Sequence, residues 1–172
     1  MRLSELVYPN IDAVRSVNLE RDRGHVQTLD NYQLTGKGVE ILNRFLSALQ
    51  GERVSAWSLT GPYGMGKSAF TNYLLALTSQ NATAEKKLAL KKLKDFDYNI
   101  HSRLVEALDR ASENRGFFRI PVTASYEPVN RTILHGVLQA LGNGQLTTHE
   151  QKLIKSHHHQ LQQLYHDKNP DS

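Results

Sequence analysis

Residues 59–68 read L-T-G-P-Y-G-M-G-K-S. Gly61 is followed, after four residues, by Gly66, Lys67 and Ser68, and Gly64 adds a third glycine inside the stretch. These residue types at this spacing suit the holding of phosphate. Glycine reaches backbone angles closed to other residues and lets amide groups come close to a ligand. Successive N–H groups turned to one side make a cradle for an anion. A helix beginning near Gly66 would set its positive end beneath the same anion. A lysine beside the cradle supplies a cation, and the neighbouring serine hydroxyl is a hard oxygen ligand for Mg²⁺.

The spacing is that of the P-loop, or Walker A, pattern G-x-x-x-x-G-K-[ST]. It makes Gly61, Pro62, Tyr63, Gly64, Met65, Gly66, Lys67, Ser68 and Ala69 the candidate phosphate contacts. Lys67 is the candidate catalytic cation at the β- and γ-phosphates of ATP, and Ser68 the candidate Mg²⁺ ligand. The alternative is a glycine turn that binds nothing. The pattern asks for a strand before it and a helix after it. Val54–Thr60, V-S-A-W-S-L-T, has the length and residue types of a strand. From Gly66 onward Phe70, Leu74 and Leu77 recur at helical spacing.

The elements around this loop follow from periodicity. In Gly36–Gln50, Val39, Leu42, Phe45, Leu46 and Leu49 fall on one helix face, and Gly51 is a stop. Thr83 opens a lysine-rich helix, and a further helix is expected from about Tyr98 to Asn114. Phe117–Ala124, F-F-R-I-P-V-T-A, is the second strand candidate, although Pro121 removes a ladder hydrogen bond. Arg131–Leu141 reads as helix, and Thr147 or Thr148 caps a last one that carries Leu153, Ile154, Leu161 and Leu164.

Strands alternating with helices imply parallel pairing through crossovers. The expected fold class is therefore α/β: a partial P-loop NTPase fold, with a short parallel sheet flanked by helices and a helical pair inserted at about residues 83–115. Residues 1–36 form a polar arm, 37–145 the P-loop domain, and 146–172 a C-terminal helix and polar tail.

Hydrolysis needs an acid at the end of a further strand to hold the Mg²⁺ water shell, and a group that orients water. No run of four apolar residues leads directly into Asp or Glu; Glu127, after the second strand candidate, is the nearest acid, and its other reading is a loop residue before Pro128. The acid-bearing strand would then fall beyond residue 150, where the chain reads as helix and tail. The expectation is a front portion completed by further sequence or further ATPase subunits.

The stretch Tyr32-Gln33-Leu34-Thr35, a helix, and then W-S-L-T-G-P-Y-G-M-G-K-S resembles the N-terminal P-loop region of large bacterial AAA+/STAND-like ATPases, several of which act in phage defence. The likeness is closest over about residues 28–80 and weaker over 117–142. It implies ATP with Mg²⁺, conformational change coupled to nucleotide binding or hydrolysis, and DNA or a partner protein as the regulated target. It carries Gly61, Gly66, Lys67 and Ser68 over as phosphate and magnesium contacts and sets Tyr32 and Thr35 near the adenine. No residue matches the Walker B acid, the sensor or the arginine finger of that family. Two other readings stand beside it: a small P-loop phosphotransferase, and a non-catalytic fragment or nucleic-acid interaction module.

Other residues offer less. Lys86, Lys87, Lys91, Lys92 and Lys94 suit nucleic-acid phosphates, or else form a solvated face opposite Leu88, Ala89, Leu93 and Phe96. His157, His158 and His159 point roughly 100° apart on a helix and cannot share one ion, though His158 and His166 could form a surface site. Ser58, Thr60 and His101 make no nucleophile–base pattern.

The 172 residues suffice for one domain with a core, and 39% hydrophobic with 22% charged residues is ordinary globular usage. With no cysteine there is no disulfide, thiolate metal site or thiol nucleophile. A net charge of +4 permits a polyanionic partner without requiring one. No apolar leader or membrane-length run is present, and the expected compartment is the cytoplasm.

Overall fold

The computed structural model describes residues 26–51, 56–80, 83–113, 116–123, 126–142 and 163. Among the described residues six helices have defined bounds: α1 (Val26–Asp30), α2 (Gly36–Leu49), α3 (Lys67–Leu77), α4 (Ala84–Phe96), α5 (Tyr98–Ala111) and α6 (Val129–Gly142). The chain divides into two compact units, Met1–Gly116 and Phe117–Ser172.

The first unit is built around α4, which packs against α1, α3 and α5, while α2 packs against α5. Capping chemistry sets where the helices start. Thr35 accepts from the Gly38 amide at 3.1 Å, Thr83 from the Lys86 amide at 3.3 Å, and Asp97 from the Ile100 amide at 3.0 Å. Each bond satisfies one of the amides left over at a helix start. Val39, Leu42 and Leu46 of α2, Phe70, Tyr73, Ala76 and Leu77 of α3, Ala89 and Leu93 of α4, and Ile100, Leu104, Ala107 and Leu108 of α5 form the core. Tyr73 is fully buried and its hydroxyl donates to the Ala89 carbonyl at 3.0 Å, fastening α3 to α4. Burial, with Tyr32 beside it, pushes the Tyr73 phenol well above its ordinary value.

Two polar contacts fix the connections. The Lys92 ammonium donates to the Asp30 and Tyr32 carbonyls at 2.7 and 3.1 Å, tying the α1–α2 connection to α4. Where the chain leaves α5, Gly116 takes φ +84°, and a Cβ there would lie 2.7 Å from the Ser79 carbonyl oxygen and 2.8 Å from the Gln80 Cα. The α4–α5 pair thus leaves the end of α3 and returns to backbone contact with it.

The expected α/β fold with a parallel sheet is overturned: the described residues contain helices and no strand. Of the first strand candidate, residues 56–60 are irregular and exposed. Of the second, residues 117–123 are irregular as well. A β-prone segment becomes a strand only when another lies alongside to accept its ladder bonds. In the second unit a helix takes that place. Gly136 of α6 is packed so closely that an added Cβ would lie 2.4 Å from Val122 Cγ1 and 2.9 Å from Ile120 Cγ2. The lysine helix is also corrected in part, because Lys86 is buried whereas Phe96 is 50% exposed. The expected C-terminal helix, with His157, His158 and His159, lies outside the described residues except for Gln163, which is helical and exposed.

Candidate phosphate-binding loop

Residues 61–66 form an exposed turn that runs straight into α3. Gly64 and Gly66 hold φ values of +81° and +75°, in the left-handed region that favours glycine. Nothing lies within 4 Å of a Cβ built on Gly61, Gly64 or Gly66. The glycines are therefore required by conformation and not by crowding, and the space above the loop is open.

Gly66 is the N-cap of α3 and offers no side-chain cap. Its carbonyl accepts from the Phe70 amide at 2.8 Å, which starts the helical ladder. Among the described residues the amides of Lys67, Ser68 and Ala69 have no acceptor. A capping Ser, Thr or Asp would have occupied one of them. Here the positive helix end stays open, as an anion site needs.

The Lys67 side chain folds back over the loop. Its ammonium donates to the Gly61 carbonyl at 2.8 Å and the Pro62 carbonyl at 2.7 Å. An ammonium has three donors, so one remains. Carbonyls do not neutralise charge, and no described carboxylate pairs with Lys67. The loop thus carries a positioned cation beside a row of unpaired amides. The Ser68 hydroxyl, one residue on, is exposed and makes no hydrogen bond among the described residues. Tyr63 and Met65 are 95% and 71% exposed and project from the loop.

All nine candidate residues, Gly61, Pro62, Tyr63, Gly64, Met65, Gly66, Lys67, Ser68 and Ala69, thus lie on this one turn and first helical turn. The other candidates have different work. Thr35 caps α2. Tyr32 packs against Tyr73 with ring centroids 5.0 Å apart and the rings tilted by 34°, and burial raises its phenol to about 12. Both are explained by packing. Glu127 belongs to the second unit and pairs with Arg131 at 3.6 Å. Among the described residues no cluster of three or more His, Cys, Asp or Glu is arranged to hold a metal ion. No described helix is long and apolar enough to cross a membrane.

Sequence reasoning missed an aromatic pair. The Tyr98 and His101 rings lie 6.1 Å apart at 27°, with the Lys94 ammonium 5.9 Å from the Tyr98 centroid. The three-residue step from Tyr98 to His101 within α5 was its trace in the sequence. No protein-family model matches the chain, and no curated protein or solved structure matches it.

Proposed function

We propose that the Gly61–Ser68 loop binds the phosphates of a nucleoside triphosphate together with Mg²⁺, with ATP as the ligand. One observation carries the reading: the Lys67 ammonium is held over the loop by the Gly61 and Pro62 carbonyls, at the start of a helix whose first amides are uncapped. Under this reading the amides of Lys67, Ser68 and Ala69 donate to phosphate oxygens. Lys67 gives its remaining donor and its charge to the β- and γ-phosphates. Ser68 Oγ joins the Mg²⁺ shell, and the ion neutralises the triphosphate as it binds.

The reading rests on the loop and its helix and makes no use of a sheet. It concerns a nucleotide-binding module of an ATPase that works in the cytoplasm. Coupling of hydrolysis to conformational change would draw on groups from further subunits or further sequence. Calorimetric titration of the chain with MgATP, beside Lys67→Ala, tests it. Saturable binding lost in the variant is expected. Equal affinity in both proteins, or no binding by a folded wild type, overturns it.

A further inference from the structure

Lys87, Lys91 and Lys94 are exposed on α4, and among the described residues none has a carboxylate partner. Steps of four and three residues keep them on one face, within about one-sixth of a turn. The remaining lysines of the helix are spent: Lys92 holds the Asp30 and Tyr32 carbonyls, and Lys86 is buried. The acids nearby are Glu85, Asp95 and Asp97, and Asp97 is engaged in capping α5. The row ends at aromatic rings. Tyr98 is 66% exposed, with the His101 ring stacked on it.

A solvated lysine face needs no aromatic beside it, and here the row reaches the exposed Tyr98 ring. Lysines in a row beside an exposed ring match single-stranded nucleic acid: phosphates meet the ammoniums, and a base stacks on the ring. Lys94 links the two features. Its ammonium stands 5.9 Å from the Tyr98 centroid, at the outer limit of a useful cation–π contact. An arriving base can therefore displace it, and the flexible side chain then reaches a phosphate.

We infer that the Lys87–Lys91–Lys94 face of α4, with Tyr98 as its stacking platform, binds single-stranded nucleic acid independently of the phosphate loop. Duplex, whose bases are already stacked, binds this face less well.

The test is fluorescence anisotropy of the whole chain with labelled oligo(dT) and oligo(U), without nucleotide, between 50 and 200 mM salt. Three phosphate contacts predict a slope of log K against log salt near −2. A triple Lys87→Gln, Lys91→Gln, Lys94→Gln variant should flatten that slope. Tyr98→Ala should weaken binding about five-fold or more, and Tyr98→Phe should restore it. Arg110→Gln, which removes an exposed arginine paired with Glu106, should change nothing. Thermal melts of each variant confirm folding; if the triple variant unfolds, Lys91→Gln alone carries the slope measurement. The inference is overturned by absence of binding to wild type, by equal affinity for duplex or for polyglutamate, or by unchanged affinity in the folded lysine variant or in Tyr98→Ala.

Discussion

The Lys67 ammonium sits 2.8 Å from the carbonyl oxygen of Gly61, six residues earlier in the chain, so the glycine-rich loop is closed by its own cation. The same ammonium reaches Pro62 at 2.7 Å. The contact lies at the surface, so its removal should cost the fold little, at most about 1 kcal/mol. Its removal from a phosphate site should cost far more, because charge-assisted bonds contribute about 1.5–3 kcal/mol each. Lys67→Ala should therefore leave the urea midpoint nearly unchanged while weakening MgATP by roughly ten- to a hundred-fold or more. Loss of binding with parallel unfolding would point to a structural role instead.

The glycines can be ranked by physical cause. Gly66 needs its left-handed angle but has open space around its Cα. Gly116 needs the same kind of angle, and its missing Cβ would lie 2.7 Å from the Ser79 carbonyl oxygen. Gly66→Ala should cost about 1–2 kcal/mol of strain. Gly116→Ala adds a backbone collision and should cost more. Equal losses in denaturant unfolding would show that Ser79 and Gly116 are not in tight contact.

The Tyr73 hydroxyl donates to Ala89 at 3.0 Å inside the core. Tyr73→Phe removes one neutral hydrogen bond and should destabilise by about 0.5–1.5 kcal/mol. Leu104→Ala, at a fully buried site, should cost about 2–5 kcal/mol. Reversal of that order in equilibrium unfolding would mean that the polar fastening outweighs packing here.

His101 supplies a pH dependence. Its Nδ1 is buried without a hydrogen-bond partner. Burial first, and the Lys94 charge second, lower its pKa below the ordinary 6.5. The folded state thus binds the proton less readily than the unfolded state. Stability is complete above about pH 6.5 and falls as pH drops from there through the folded value. The imidazole is only partly buried, so the loss is small. Thermal melts from pH 8 to pH 5 should show a decline that is shallower in His101→Gln.

Much of the helical framework was legible because it rests on local rules. The spacing of Val39, Leu42 and Leu46 fixed the inward face of α2, and Thr83 marked the start of α4. Phe117–Thr123 shows the limit of that reading. Its residues favour a strand, yet the contact shown for Ile120 and Val122 is with Gly136 on a helix. Lys86 and Lys92 look identical to Lys87 and Lys91 in sequence, but one is buried and the other ties down the α1–α2 connection.

The sequence by itself determined the glycine-rich loop, because its requirements lie within eight consecutive residues: positive φ at Gly64 and Gly66, an uncapped helix start, and a lysine long enough to reach back to Gly61. It also determined where α2, α4 and α5 begin, because a cap acts over three residues, whereas α1 lies in the stretch expected to be a polar arm. Only the tertiary structure decided that no strand forms among the described residues, that Gly116 meets Ser79, and that Lys94, Tyr98 and His101 gather at one place. Ladder pairing and the meeting of Gly116 with Ser79 depend on which distant segment lies alongside. The approach of Lys94 to the Tyr98–His101 pair depends on how one helix passes into the next. Periodicity along one segment carries no information about either.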